Sequence, residues 1–573
     1  MSNNEVRTFD GFGNNLDNPE WGAANQRLLR RGSEFDNRAG GVYQRPSSSE
    51  PSAYAYNDGV EDLARGLSTN PRVISNLLCK EISVERDPDL TDMMWAWGQY
   101  LDHEIDVTRG QESAAEAESA DILVPGNDPE PTAQGGSIPF GRSSFDPHSG
   151  TGTDNPREQR NDISAYIDAS NVYGSDANRA LALRALDGMG KMKTSSTNLL
   201  PLNTTGLPND LPPDRSNPET FFVSGDTRVN ETAVLTAMHT LFMREHNRVC
   251  DEIAAASPVG LPPTSDPVAR DECLYQCARR YVSALEQVVT YEEFLPALLG
   301  PPRTRRPFPF PFPFPFPGSF RVSIGVQPYT GYKSRVNAGI DNVFSTACYR
   351  LGHSMLSETV KTPNLGTDDS SLRDLFFSPS MVQHMQTNGI EAFLEGLPQQ
   401  KMRKINTRIV ESVRSFLFGP PTAQGLLDLG ALNIQRGRDH GLPDYNSCRK
   451  LFGLRRYTSF EAMTGNDLNL AAALSQAYDG NINLIDPWIG GLAEKPSGQA
   501  RVGQFIGLVL RDQFERLRDG DRFWYENDDA FDEPCMQVLG TVNDLRATRL
   551  SDVVRRNTSL TGSRVPDDMF RGI

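Results

Sequence analysis

Histidine is scarce in this chain, with seven among 573 residues, so chemistry that needs an imidazole has few places to reside. Long apolar runs are absent. No window of about eighteen apolar residues exists, which excludes a membrane-spanning helix read from hydropathy. The seven cysteines, at 79, 250, 273, 277, 348, 448 and 535, are scattered and odd in number, and do not indicate a disulfide framework. Cys273 and Cys277 lie four apart on one helical face and read as buried thiols. Blocks of lysine and arginine are also missing, and the net charge is −17. A phosphate backbone or an anionic membrane surface would repel most of such a chain, so no nucleic-acid partner is expected. The opening residues, MSNNEVRTFDGFGNN, lack the basic start and apolar run of a secretory signal. The expectation is a bacterial-style protein kept inside the cell or exported by another route.

What is present is a globular composition, 38% hydrophobic and 23% charged, in a chain long enough to enclose a cofactor. Residues 1–60, rich in Asn, Gly, Ser and Arg, predict an extended arm, and 61–573 a single large domain. From about residue 72 helical periodicity dominates. AVLTAMHTLFMREHNRVCDEIAAA (233–256), ECLYQCARRYVSALEQVVTYEEFL (272–295) and GQFIGLVLRDQFERL (503–517) repeat apolar residues every three or four positions. Period-two strands are few, residues 108–160 read as Gly-, Pro- and Asp-rich loop, and the fold class is mainly α. One low-complexity insert, PFPFPFPFPFP at 307–317, fixes φ and removes backbone donors, which predicts polyproline II. At about 3.1 Å per residue it spans roughly 34 Å, with phenylalanines pointing all round the rod. It is either a stiff surface loop or a docking element for a partner or an apolar surface.

In WGQYLDHEIDV (97–107), Gln99, Asp102 and His103 lean to one side of a helix, while Glu104 and Asp106 fall elsewhere on the turn. Alone, His103 reads as a hydrogen-bonded core histidine. Three further stretches change that reading. SGDTRVNET (224–232) places Arg228 and Glu231 before an apolar helix, and an arginine entering a core needs an anionic partner or a ligand. FSTACYRLGHSML (344–356) holds His353 in a mostly apolar helical run. LNIQRGRDHGLPDYN (432–446) sets Asn433 on the apolar side, with Arg436 and Arg438 after it.

Together these segments resemble the signatures of the animal-type haem peroxidases, the superfamily of myeloperoxidase, lactoperoxidase and cyclooxygenase. The likeness continues through MHTLFMREHNR (238–248), TYEEFLPALLG (290–300) and ARVGQFIGLVLRDQFERLRDGDRFWYE (500–526) and covers residues 80 to 560. The arm and the Pro-Phe insert lie outside it. The resemblance implies a large helical domain with haem buried between central helices. It implies that His353 is the proximal iron ligand, with Asn433 on its other nitrogen. His103 matches the distal acid–base residue, Arg228 the group that stabilises charge as the O–O bond breaks, and Gln99 a holder of water or a small anion. Arg436 and Arg350 match partners of haem propionates. Asp102 and Glu231 match carboxylates that form ester bonds to the haem; a plain salt-bridge role for each is the alternative. Ser164, the Tyr166 carbonyl, Asp168 and Ser170 match a calcium loop, completed by Glu104 where the family has aspartate. Thr232 stands where myeloperoxidase has a methionine that forms a sulfonium bond to the haem.

The implied function is a peroxidase that reduces hydrogen peroxide and oxidises iodide, thiocyanate, bromide or aromatic and other organic donors through a high-valent iron intermediate. Two rivals remain. A fatty-acid dioxygenase needs a tyrosine three residues before the proximal histidine, where this chain has Arg350 and Tyr349 is one position off. A non-catalytic haem or adhesion protein would not need Gln99, His103, Arg228, His353 and Asn433 together. His239 and His246, seven apart rather than in HExxH spacing, read as structural, as does His440; nothing recommends His148 or His384.

Overall fold

The computed structural model describes residues 5–30, 70–110, 118–150, 157–212, 217–301, 324–365, 369–415, 427–527 and 531–572. The Pro-Phe insert, residues 31–60 of the expected arm and parts of the 108–160 loop lie outside these, as does the expected domain boundary near 60.

Helices dominate, and five position the site: α1 (Met93–Ile105), α2 (Ala233–Ala256), α3 (Pro267–Val288), α4 (Leu429–Asp439) and α5 (Gln504–Asp519). Each start has a local cause. Thr232 caps α2 by accepting from the Leu235 amide, Asp428 caps α4 through Ala431, and Asp266 followed by Pro267 opens α3. Strands are short and pair in four antiparallel ribbons: β1 (Gln26–Arg27) with β5 (Arg160–Asn161), β2 (Arg86–Thr91) with β8 (Lys401–Arg403), β3 (Ile122–Leu123) with β4 (Ser137–Ile138), and β6 (Thr359–Lys361) with β7 (Asp369–Ser371).

The core forms round α1. Trp97, Tyr100, Leu101 and Ile105 are buried, and the Tyr100 ring stacks on Phe242 of α2 with centroids 5.2 Å apart. Burying Leu101 or Ile105 stabilises the fold by about 1.5–3 kcal/mol each. At Asp106 the backbone turns extended (φ −148°, ψ 130°) and α1 stops. The stripe Arg279, Ser283, Glu286 and Gln287 of α3 follows helical spacing. Its Ser283 hydroxyl and Gln287 amide donate to the carbonyls of Asp168 and Ile167, so α3 clamps the 164–170 loop. The helix then widens into a π-helical turn, Val289–Phe294.

Residues 5–30 hold no helix and run along this body. Arg7 pairs with Asp521 at 2.6 Å, and Arg279 donates to the Arg7 and Thr8 carbonyls. One cysteine reading is corrected: Cys277 is bonded to Cys535 (S–S 2.07 Å), 258 residues later, which fastens the C-terminal segment to α3. Helical spacing within 273–277 carries no information about so distant a partner. Cys79, Cys250, Cys273, Cys348 and Cys448 are free.

Candidate active site

A cavity of about 420 Å³ opens beside α1, within the size range of cofactor and ligand sites. Gln99, Asp102 and His103 line it from α1, Arg228, Glu231 and Thr232 from the segment leading into α2, and Tyr349, Arg350 and His353 from the FSTACYRLGHSML stretch. Asp106 lines it too, contrary to its expected place elsewhere on the turn, because the backbone leaves the helix there. Glu104 faces away. Of the residues expected to bind haem, Asn433 and Arg436 are not in the cavity wall: Asn433 stands behind His353, and Arg436 is held elsewhere. Its guanidinium donates to Ser143 and Asp439 at 2.7 and 2.8 Å and lies over Phe140, next to Arg350.

The 344–356 stretch is not the continuous α-helix its periodicity suggests. Phe344–Cys348 is a π-helical turn and Tyr349–Ser354 a 3₁₀ turn. In the 3₁₀ turn residues three apart eclipse, so Arg350 and His353 stand one above the other in the cavity wall. His353 Nδ1 lies 2.8 Å from the Asn433 amide nitrogen, and the Asn433 oxygen accepts from Arg350 at 3.2 Å. Burial, then the Arg350 charge, pushes the His353 pKa down to about 3. Arg350 occupies the third position before His353, and the Tyr349 hydroxyl is buried without a hydrogen-bond partner among the described residues.

On the α1 side the organiser is a residue that the sequence reading left out, Asp226. Its carboxylate accepts from Arg228 Nη2 at 2.8 Å and Nε at 3.0 Å, and stands 3.5 Å from His103 Nδ1. Arg228 also donates to the Asp106 and His103 carbonyls. Asp226 is buried yet held well below the usual carboxylate range by Arg228, although burial opposes this. His103 is pushed well below its ordinary pKa, first by burial and then by Arg228, so it stands neutral. Its Nε2 lies 3.5 Å from Glu231. Two of the three pocket carboxyls are pushed up to about 7: Asp102 by burial and then Asp106, Glu231 by burial against the pull of Arg228.

Behind α1, the 164–170 loop is bent rather than extended, with Ala169 left-handed at φ 61°. Ser164 Oγ donates to Asp168 at 3.0 Å, and Ser170 Oγ to the Glu104 carbonyl at 2.8 Å. The Glu104 carboxylate accepts from the amides of Asp168, Ala169 and Asn171. Glu104, Asp168 and Glu286 are all buried carboxyls raised above their ordinary range: Glu104 by burial and then Glu286 and Asp168, Glu286 by burial and Asp168, and Asp168 by burial against the pull of Arg7 and Arg279. Asp168 has no Lys or Arg nitrogen in salt-bridge range among the described residues. Arg7 and Arg279 act on it only from beyond that range, and oxygen donors around a buried carboxylate suit a hard cation. Tyr166 places its ring hydroxyl on the Trp21 carbonyl.

The remaining histidines are structural in their contacts. His246 bridges Tyr173 and the Gly190 carbonyl, His239 meets Ser224, and His440 meets Ser143 and Thr346. A larger open groove of about 850 Å³ lies away from this chemistry, and no histidine lines it.

The animal haem peroxidase family model matches residues 6–570. The chain belongs to the animal haem peroxidase family. The match extends past the 80–560 span of the sequence resemblance and takes in the N-terminal segment. Thyroid peroxidase of Mus musculus is 32% identical across 99% of this chain, and lactoperoxidase of Mesocricetus auratus 31% across 99%. The chain spans about three fifths of the length of thyroid peroxidase (61%) and 78% of that lactoperoxidase. Peroxidase A from Dictyostelium discoideum superposes with a TM-score of 0.77 at 28% identity, covering 99% of this chain and all of that one. The fold is thus the mainly helical one of this peroxidase family. A fatty acid alpha-dioxygenase of Oryza sativa shares the fold at a TM-score of 0.71 and 20% identity.

Proposed function

We propose that this chain is a peroxidase that binds haem between His103 and His353, reduces hydrogen peroxide, and oxidises small anions or aromatic donors. The observation that carries the reading is the convergence on one cavity of a neutral histidine beside a clamped arginine and a second histidine backed by an asparagine. The residues fit haem: an apolar-walled cavity, a histidine with its outer nitrogen already engaged, two carboxyls with a pKa of about 7, and an arginine, Arg350, in the cavity wall with no carboxylate hydrogen-bonded to it among the described residues.

Haem iron, when bound, supplies the redox chemistry of peroxide reduction. His103, neutral and buried, takes the proton from one peroxide oxygen and returns it to the other, which leaves as water. Arg228, fixed by two bonds to Asp226, stabilises the charge that develops as the O–O bond breaks. Gln99 holds water or a small anion beside His103. Asp102 and Glu231 are the carboxyls that would esterify the haem. His353 would bind through Nε2, so its proton must sit on Nδ1 and be given to an oxygen. The Asn433 amide presents nitrogen there now, because Arg350 holds its oxygen. Arg350 would pair with an anionic propionate, which would release the Asn433 oxygen to accept from Nδ1. Arg436, beside Arg350, would support that anion.

Calcium fits the 164–170 loop, held by Ser164, the Tyr166 carbonyl, Asp168, Ser170 and Glu104. Since Glu104 adjoins His103, the ion would also steady α1.

The test is mixing of the haem-loaded protein with hydrogen peroxide and iodide. A changed Soret band with peroxide-dependent iodide oxidation supports the reading; a protein that takes up haem but oxidises no donor contradicts it.

A further inference from the structure

A row of oxidisable rings runs from the cavity to the surface, and nothing above uses it. Tyr349, in the cavity wall, packs edge-on against Phe514 of α5 with ring centroids 5.8 Å apart. Tyr291, on the π-helical turn after α3, meets the same Phe514 at 6.1 Å and Trp524 at 4.8 Å. Trp524 in turn lies 6.0 Å from Tyr329, which is half-buried. Four oxidisable side chains from four separate segments thus line up, with only Phe514 interposed. Electron tunnelling falls off steeply with distance, so short steps between rings outrun one long step.

The polar surroundings grade this row. The Tyr349 hydroxyl has no partner among the described residues and the Tyr291 hydroxyl donates to the Phe514 carbonyl, so neither has a base for its proton. Trp524 differs: its indole N–H donates to the Glu526 carboxylate at 3.1 Å, a partner that can take its proton, and Glu526 is itself paired with Arg546 at 3.2 Å. Trp524 therefore passes an electron vacancy on, and Tyr329, half-buried and hydrogen-bonded to Asn527 at 2.6 Å, is its exit.

We propose that Tyr349, Tyr291, Trp524 and Tyr329 form a relay through which phenols too bulky for the cavity are oxidised one electron at a time at the surface by Tyr329. This rests on the peroxidase reading. In each pass a phenol loses an electron to Tyr329 and its proton to water, becoming a phenoxyl radical. The electron moves through Trp524, Tyr291 and Tyr349 to the cavity. Two phenols give two electrons and two protons, which reduce one hydrogen peroxide to two waters as its O–O bond breaks.

The experiment uses the haem-loaded protein with peroxide, a nitroso spin trap, and two donors: iodide, and a phenol tethered to an insoluble polymer. Wild type should carry trap on Tyr329, mapped by peptide mass spectrometry, and oxidise the tethered phenol. Trp524→Phe should lower trap labelling and tethered-phenol oxidation by at least about tenfold, with iodide oxidation within about twofold of wild type. Should Trp524→Phe fail to hold haem, Tyr329→Phe, which loses only a hydroxyl at the surface, carries the same prediction for the tethered phenol. Undiminished tethered-phenol oxidation in both variants, or a wild type that oxidises iodide but leaves Tyr329 unlabelled, overturns the relay. A wild type that oxidises neither donor overturns the peroxidase reading instead.

Discussion

The Asp226 carboxylate grips the Arg228 guanidinium through two hydrogen bonds, 2.8 Å to Nη2 and 3.0 Å to Nε, while standing 3.5 Å from His103 Nδ1. One buried anion thus orients both groups that would act on peroxide. Asp226→Asn keeps the shape but removes the charge, and one amide cannot accept from both Arg228 nitrogens and His103. The reaction with peroxide should slow by at least about 10², the scale of lost acid–base and electrostatic help. Rapid mixing with peroxide, at matched haem content, checks this; a wild-type rate would show that Asp226 only fills space.

Thr232 limits the links to haem. Its hydroxyl caps α2 at the Leu235 amide (3.1 Å), and it has no nucleophilic sulfur. At most two bonds, through Asp102 and Glu231, can form, without the electron-withdrawing sulfonium. Iodide, thiocyanate and bromide should be oxidised in preference to chloride. Acid–acetone extraction after peroxide treatment should leave haem on the protein, and mass spectrometry of tryptic haem peptides should place it on those two residues. Haem that extracts completely, or chloride oxidised as readily as bromide at neutral pH, would contradict this. Thr232→Met should also cost about 1 kcal/mol of stability through the lost cap.

Calcium should be found in the untreated protein by metal analysis, and Asp168→Asn should remove it. Loss of the ion should lower the melting temperature and disturb the Soret band together, because Glu104 ties the loop to α1 next to His103. An untreated, folded protein free of calcium would refute the site.

Glu293 sets a pH dependence of stability. One carboxylate oxygen accepts from the Leu550 amide at 2.8 Å, the other is buried without a partner, and burial pushes its pKa up to about 7. Between the ordinary carboxyl range and about pH 7 the folded state therefore holds a proton that the unfolded state has released. Stability from this group is present at low pH and is lost as pH rises toward and through 7. Glu293→Gln should flatten that fall in melting temperature between pH 5 and 8, as a difference from wild type of about this range. A variant whose profile parallels wild type would rule the assignment out.

The helices and most of the cavity wall were legible because periodicity and ordered motifs are local signals. Gln99, Asp102 and His103 share a side of α1 for the reason their spacing states. Asp226 was not legible: it stood in SGDTRVNET, two residues from Arg228, but no spacing says that one carboxylate will serve both Arg228 and His103. The Cys277–Cys535 bond and the ring contacts of Trp524 depend on segments far apart in the chain. The 344–354 segment was misjudged in pitch, since π and 3₁₀ turns leave no distinct pattern in so short an apolar run. Resemblance makes Arg436 a partner of haem propionates; its contact with Asp439, three residues on, carries no signal in the motif.

The claim on which all else depends is that His353 binds haem iron with Asn433 on its outer nitrogen. The most direct measurement is the haem content and Soret spectrum of His353→Ala beside wild type, both reconstituted with excess haem. The account predicts that wild type holds about one haem with a histidine-ligated spectrum, and that the variant loses the haem or shows a displaced band. Equal occupancy and an unchanged band in the variant would contradict it.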